Sequence, residues 1–400
     1  MARSIEILPL EIIEDIIALL SDFDRSVSTK PTSLQTCSLV CHAFVPLCQK
    51  HIFHSIALRY AAQKSSFVKL INKNPQILGY VRNILYMVAP EDSRLEIACP
   101  ISFFDILKSF KNLEKVMVSF QYQRQDWNNL SEVMRSVVLS LIHNPSVSTV
   151  GLAHIYEFDC TTLLLCPNIQ ELRLQNIMCP QFVISSTSTA AYRSIKPRLL
   201  EITSCIQMLN VHYDVGAAIF DLGELKHIEL GPCTLFPASN ILKTVKTLES
   251  ALVSINLASV DDSEVFISLL MGSSKTLKRL TLEPSHITLT RNYYNLLTSI
   301  GEVLKKLSGQ NIISTLNIEL YAIFGPEPES TIGEEWNIFD QVLLTPGWSS
   351  LREFNLTIED SRGEIIMRAL RSLHQTYLHG LATSETVNFN FEVVDIFENL

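Results

Sequence analysis

Six residues near the amino end, Cys37, Cys41, His42, Cys48, His51 and His54, are of the types that bind zinc. Zinc takes four converging ligands, commonly from C-x2-4-C and H-x3-5-H spacings, and Cys37/Cys41 with His51/His54 come near to that. The same thiols fall on apolar helical faces, where packing already accounts for them. No metal is expected. Ser66 and Lys69 match S-x-x-K, the nucleophile–lysine pairing of some acyl-transfer enzymes, but a pattern this short recurs by chance. G-x-x-x-x-G-K, G-x-G-x-x-G, H-E-x-x-H and G-x-S-x-G are all missing from the chain. Asp261-Asp262 and Glu334-Glu335 flank or cap predicted helices, where carboxylates complement the helix dipole. The stretch from Gly325 to Glu335 reads as a solvated loop, with an acidic recognition loop as the rival reading. Neither a catalytic residue nor a cofactor is expected, and the chain is read as a non-enzyme.

Composition points the same way. Lysine and arginine number 32 against 41 acidic residues, a formal net charge of −9. Surfaces that neutralise phosphates run the other way, so nucleic acid is not an expected partner. Hydrophobic residues make up 47% and charged residues 18%, which excludes a disordered chain or a highly charged coiled coil. At about 150 residues per domain the length suggests two or three domains. The start, MARSIEILPLEIIEDIIALL, is interrupted by Glu6, Glu11, Glu14, Asp15 and Pro9, unlike a signal peptide. Apolar runs long enough to span a bilayer do not occur, so no membrane partner is expected. The nine cysteines lack a dense framework and read as reduced thiols, which places the chain in the cytoplasm, the nucleus or both.

The elements that must position any site come next. Pro9 can open a helix, and Ile12, Ile13, Ile16, Ile17 and Leu20 then line one broad apolar face. Ser21-Asp22 breaks that periodicity, and Asp24 to Ser33 reads as a polar loop. A second helix carries Leu34, Cys37 and Cys41, with Leu39 and Val40 beside them. Pro46 is expected to push Val45 out of the helical region and to start a third helix with Leu47, His51 and Ile52. Three short helices cannot hide this much apolar surface among themselves, so a face is left for a partner.

LPLEIIEDIIALL followed by LQTCSLVCHAFVPLCQKHIFHSI resembles an F-box, more narrowly those of fungal (basidiomycete-type) F-box proteins with degenerate leucine-rich repeats. Leu8-Pro9 matches the family's Leu-Pro pair, Cys37 to Cys41 its Cys/Ser-Leu-Val-Cys stretch, and Phe44 the aromatic that follows. Phe44 stands where tryptophan is often found. The match covers roughly residues 5–56. The resemblance implies docking onto the Skp adaptor of a cullin–RING ubiquitin ligase, with Leu8, Pro9, Ile12, Ile16, Leu39, Val40 and Phe44 lining or supporting the docking face.

From about residue 76 an apolar motif φ-x-x-φ-x-φ recurs, its starts 22 to 38 residues apart. Its copies are Leu113-Val116-Val118, Val147-Val150-Leu152, Ile169-Leu172-Leu174, a weaker Leu199-Ile202, and Leu225-Ile228-Leu230. It continues as Leu252-Ile255-Leu257, Leu277-Leu280-Leu282, Ile313-Leu316-Ile318 and Leu351-Phe354-Leu356, with Val81-Ile84-Tyr86 as an opening copy. Amphipathic helices lie between the copies, the clearest from Leu130 to Ile142. This is the leucine-rich-repeat signature, although the asparagine or cysteine of the ninth repeat position is mostly missing. Val387 to Val393 alternates strictly and reads as a capping strand. The expected fold class is α/β: a three-helix F-box over residues 1–58, then an irregular leucine-rich-repeat-like solenoid over 59–400 with a parallel concave sheet.

Side chains between the apolar positions point to the concave side. That nominates Glu171, Arg173, Gln175, His227, Glu229, Ser254, Asn256, Arg279, Thr281, Glu283, Thr315, Asn317, Glu319, Glu353 and Asn355 as a mixed-charge surface for a protein target. The implied role is substrate recognition in an SCF-type ligase. The alternative is a binding scaffold built from the same modules but acting outside a ligase.

Overall fold

The computed structural model describes residues 10–27, 32–40, 42–89, 102–120, 125–166, 168–178, 183–184, 194–204, 209–210, 212–213, 218–233, 235, 238–255, 260–283, 293–322, 333–360 and 364–395. It is a mixed α/β structure with twelve principal strands of parallel sheet, divided over two compact units. The first unit takes Met1–Tyr156 and Leu165–Ile169, and the second takes Glu157–Leu164 and Gln170–Leu400. The sequence boundary expected at residue 58 falls inside the first unit.

Three helices open the first unit: α1 (Leu10–Val27), α2 (Thr32–Ser38) and α3 (Phe44–Ile52). They share a small core of Ile17, Leu34 and Cys48, against which Ile13, Leu20, Cys37, Phe44, Leu47 and Ile52 pack. The expected break at Ser21 does not occur, because Ser21 is itself buried and α1 runs on through residues assigned to the polar loop. Nor does Pro46 delay α3. It sits in the first helical turn, where its missing N–H leaves no bond unmade, and Val45 before it is helical.

Parallel strands then alternate with helices: β1 (Ser55–Leu58), α4 (Ala61–Lys73), β2 (Asn83–Val88), α5 (Phe103–Lys108), β3 (Lys115–Phe120), α6 (Glu132–Ile142) and β4 (Thr149–Ala153). β1 lies ahead of every motif read in the sequence and pairs in register with β2, Ser55 against Asn83. Strand alternation sends Ile84, Tyr86, Val116, Val118, Val150 and Leu152 inward. Ser131 caps α6, its Oγ accepting from the Met134 N–H at 3.2 Å. Lys64 of α4 is fully buried; its Nζ donates to the Met87 carbonyl at 2.7 Å and lies 5.1 Å from the Tyr86 ring centroid.

The second unit continues with β5 (Glu171–Gln175), β6 (Leu199–Thr203), β7 (His227–Cys233), β8 (Ser250–Ile255), α7 (Val260–Gly272), β9 (Arg279–Leu282) and α8 (Tyr293–Leu307). After these come β10 (Thr315–Ala322), α9 (Asn337–Leu343), β11 (Glu353–Asp360), α10 (Glu364–Arg371) and β12 (Asn388–Asp395). All eight strands are parallel neighbours in chain order. The expected last strand is β12, paired along its whole length with β11.

Two weak motifs were misplaced. β6 pairs Leu199 with Glu171 and His227, so Leu200 and Ile202 enter the core and Leu199 faces out. In β8 the core-facing apolar positions are Ala251 and Val253, preceded by Leu248, and Leu252 shares a face with Ser250. Small Ala251 hid the true register, and the spurious copy borrowed Leu252 from the opposite face. The helix expected over Ile241 to Leu248 is shortened to Ser239–Leu242, although Val245 and Leu248 are still buried.

Cys160 is disulfide-bonded, so the expectation that every thiol is reduced does not hold there. Reducing compartments open most such bonds. Among the described residues no helix is long and apolar enough to cross a membrane.

Candidate functional site

Two surfaces stand out. The first belongs to the three opening helices. Helical spacing divides the broad apolar face of α1 into two stripes. Ile13, Ile17 and Leu20 turn inward, while Ile12 and Ile16 are each 45% exposed and Leu19 is 70% exposed. Leu39 and Val40 occupy the turn that ends α2, their N–H groups donating to the Thr36 and Cys37 carbonyls at 3.1 Å. Their side chains are 86% and 70% exposed. Phe44 is half-buried against the helical core and so supports this surface from behind. Leu8 and Pro9 lie outside the described residues. Leu19 was missed in the sequence, although Ile12, Ile16 and Leu19 follow the i, i+4, i+7 rule that would have found it.

The second surface is the sheet face opposite the core in the second unit. Every nominated residue that is described sits on it, because each alternates with a buried neighbour. Asn256 lies outside the described residues. Cross-strand register arranges the face in rows. One row runs Glu171, Leu199, His227, Ser250, Arg279, Thr315, Glu353, Asn388. The next runs Arg173, Glu201, Glu229, Leu252, Thr281, Asn317, Asn355, Asn390. Glu201, Leu252, Asn390, Glu359 and Glu392 were not nominated for this face in the sequence reading, the first two because their strands were misregistered.

These side chains do different things. Asn317 Nδ2 donates to Thr281 Oγ1 at 3.0 Å, Asn355 Nδ2 to Asn317 Oδ1 at 2.7 Å, and Asn390 Nδ2 to Asn355 Oδ1 at 2.7 Å. These amides thus form a ladder that runs across the strands. Amides committed to one another hold strand register and are poorly placed to read a target. His227 Nδ1 lies 2.7 Å from Ser250 Oγ, and Thr281 and Ser254 are both only 8% exposed.

Arg173 is committed as well. Its Nη1 donates to Glu201 Oε2 at 2.8 Å, Nη2 lies 3.7 Å from Glu171 Oε2, and Nε is buried without a partner among the described residues. Arg279, by contrast, is exposed. Arg173→Met is expected to cost about 1 kcal/mol in urea unfolding, a value discounted because the pair is partly solvated. Arg279→Met should change stability by less than about 0.5 kcal/mol. Equal costs at the two sites would refute the assignment.

Glu283 is the electrostatic outlier. Burial raises its carboxyl pKa, and Glu319, Glu229 and Glu359 raise it further; Arg279 is the one cation on its own strand and face. A folded-state value above the unfolded one means stability falls as pH rises through the interval between them. Glu283→Gln is therefore expected to raise the melting temperature at neutral pH. The gain should vanish below the carboxylate range, and a gain that grows as pH falls would contradict this account.

Among the described residues the other candidate chemistry is not brought together. Cys37 and Cys48 pack in the helical core, Cys41 lies outside the described residues, and His42 is exposed. Among the described residues no three His, Cys, Asp or Glu side chains are placed to hold a metal. Burial pushes the Cys166 thiol up to about 12, and its Sγ donates to the Ile142 carbonyl at 3.2 Å, so it stays protonated. Ser66 and Lys69 are both exposed on α4. Glu334 and Glu335 sit in a short 3-10 turn ahead of α9, and most of the acidic loop before them lies outside the described residues. No protein-family model matches this chain, and a search of curated proteins also finds no match.

Proposed function

We propose that the chain is the substrate-recognition subunit of an SCF-type cullin–RING ubiquitin ligase. The helices α1–α3 act as the F-box and dock the Skp adaptor through Ile12, Ile16, Leu39 and Val40, with Leu8 and Pro9 ahead of them and Phe44 bracing from below. Leu19 joins that face. The remaining chain acts as a leucine-rich-repeat-like solenoid whose open sheet face holds a protein target. The chain itself performs no bond-making step; it raises the target's effective concentration at the transfer site. Such a role belongs to the cytoplasm, the nucleus or both, compartments in which the Cys160 disulfide would be reduced.

One observation carries this reading. Five large apolar side chains stay uncovered on α1 and in the turn after α2, beside helices whose Ile13, Ile17, Leu20, Leu34, Cys37, Phe44, Leu47, Cys48 and Ile52 pack together. Apolar groups left in water at this density mark a partner surface, and their position matches the residues the F-box resemblance assigns to the adaptor. Pull-down of the purified chain against recombinant adaptor and cullin tests it. Recovery of both supports the ligase role, recovery of adaptor without cullin supports a scaffold outside a ligase, and recovery of neither refutes both.

A further inference from the structure

The charges on the open face of the second unit are segregated, where the sequence suggested a mixture. From β7 onward its only lysine or arginine at the described strand positions, Arg279, lies in the first row, as does His227. The rows beyond carry Glu229, Glu283, Glu319, Glu359 and Glu392, with no lysine, arginine or histidine at the described strand positions between them. None of these five carboxylates has a hydrogen-bond or ion-pair partner among the described residues, although all but Glu392 are half-buried. Leaving half-buried carboxylates uncompensated is costly, which is unusual for a face that is merely solvated.

A second feature points to a ligand. Ser254 is only 8% exposed, and its hydroxyl has no partner among the described residues. It lies on the same face, on the strand beside Glu283, whose N–H donates to the Val253 carbonyl at 2.9 Å. A side chain this little exposed, with no hydrogen-bond partner among the described residues and beside carboxylates that also have none, is a site suited to donors.

We propose that β8 to β11 bind an extended, arginine- or lysine-bearing segment of the recruited protein. One cation sits between Glu283 and Glu319, and an N–H group of the same segment donates to Ser254 Oγ. This rests on the reading that the chain recruits a protein target. The carboxylates suit a chain of cations better than a single ion, because they spread over several strands spaced about 4.8 Å apart. Half-exposed Leu252 offers apolar contact to the stems of such side chains.

The test is fluorescence anisotropy of the full chain with two labelled peptides, one of alternating serine and arginine and one of alternating serine and glutamate. The arginine peptide is expected to bind, more weakly as salt is added, and the glutamate peptide to stay free. Glu283→Gln with Glu319→Gln should weaken binding about tenfold, and Ser254→Ala about threefold. Glu264→Gln with Glu302→Gln, an equal charge change on exposed positions of α7 and α8, should leave it unaltered. Unchanged affinity in the Glu283/Glu319 pair, or an equal loss in the α7/α8 pair, overturns the proposal. So does a Glu283/Glu319 variant that loses adaptor capture along with the peptide. If the wild-type chain binds the arginine peptide but no adaptor, the surface stands and the recruitment reading falls.

Discussion

A chain carrying Leu39→Asp and Val40→Asp is expected to lose the Skp-type adaptor while melting where the wild type melts. The two side chains are 86% and 70% exposed, so replacing them removes nothing from the Ile17, Leu34 and Cys48 core. Their backbone turn closes through N–H groups that aspartate also supplies. Binding is a different matter. Apolar anchors desolvated at the centre of an interface commonly contribute about 2 kcal/mol or more each. Two buried charges in their place add a desolvation penalty, so a loss of about a hundredfold or more in affinity is expected. Titration calorimetry against purified adaptor measures it, with thermal denaturation run in parallel. A folded variant that still binds the adaptor at wild-type strength would remove the docking face from the proposal. Ile12→Asp and Ile16→Asp on the exposed stripe of α1 should behave alike, whereas Ile17→Asp should unfold the helices, since Ile17 is 1% exposed.

The second large effect concerns stability and uses two neighbours on one strand. Phe354 and Asn355 are adjacent in β11 but face opposite sides of the sheet. Phe354 is fully buried, 5.7 Å from the Phe339 ring and stacked at 5.3 Å on Phe389. Phe354→Ala deletes a buried ring and leaves a cavity between α9 and β12, at an expected cost of about 3–5 kcal/mol. Asn355→Ala removes the bonds to Asn317, Asn390 and Glu353 and leaves a gap in the ladder. Its expected cost is about 1–2 kcal/mol, because the freed amides can turn to water. Urea unfolding should show the first midpoint shift exceeding the second with an unchanged slope. The reverse order would mean that the strand faces the other way.

The two results probe separate halves of the proposal. Loss of adaptor without loss of fold isolates the docking surface, and the β11 pair tests the alternation on which every open-face residue was assigned. Target binding itself would be addressed by the acidic rows, since Arg173 is occupied by Glu201 and Glu171 and its variants change stability as well as charge.

Much of the molecule was legible in the chain because hydrophobic periodicity is a local property. Leu225-Ile228-Leu230, Leu277-Leu280-Leu282, Ile313-Leu316-Ile318 and Leu351-Phe354-Leu356 are all buried as read, and the helices expected near Leu130 to Ile142 and Leu296 to Leu307 and the last strand are present, whereas the one over Ile241 to Leu248 is cut short. Strong apolar residues at strand spacing leave one face to bury, so the in-or-out choice follows from the residues alone. Where the signal weakened, the reading slipped. Ala251 is too small to announce a core position, and Leu199 and Leu252 are apolar side chains on the open face. Only pairing with neighbouring strands corrects such cases, because register is settled by the partner and not by the strand.

Residue types and their spacing were thus enough to establish the parallel α/β plan, the inward apolar positions and the stretch of helices too greasy to cover themselves. Tertiary structure alone decided which half of the α1 face stays in water, since that depends on where α2 and α3 pack. It alone brought Asn317, Asn355 and Asn390 into one ladder and left Glu283, Glu319 and Ser254 side by side without partners among the described residues. Those residues are 29 to 38 positions apart in the chain, and nothing local links them. Stacking one strand on the next makes them neighbours, and the low dielectric of a half-buried face then gives their charges and amides consequences they would lack in an unfolded chain.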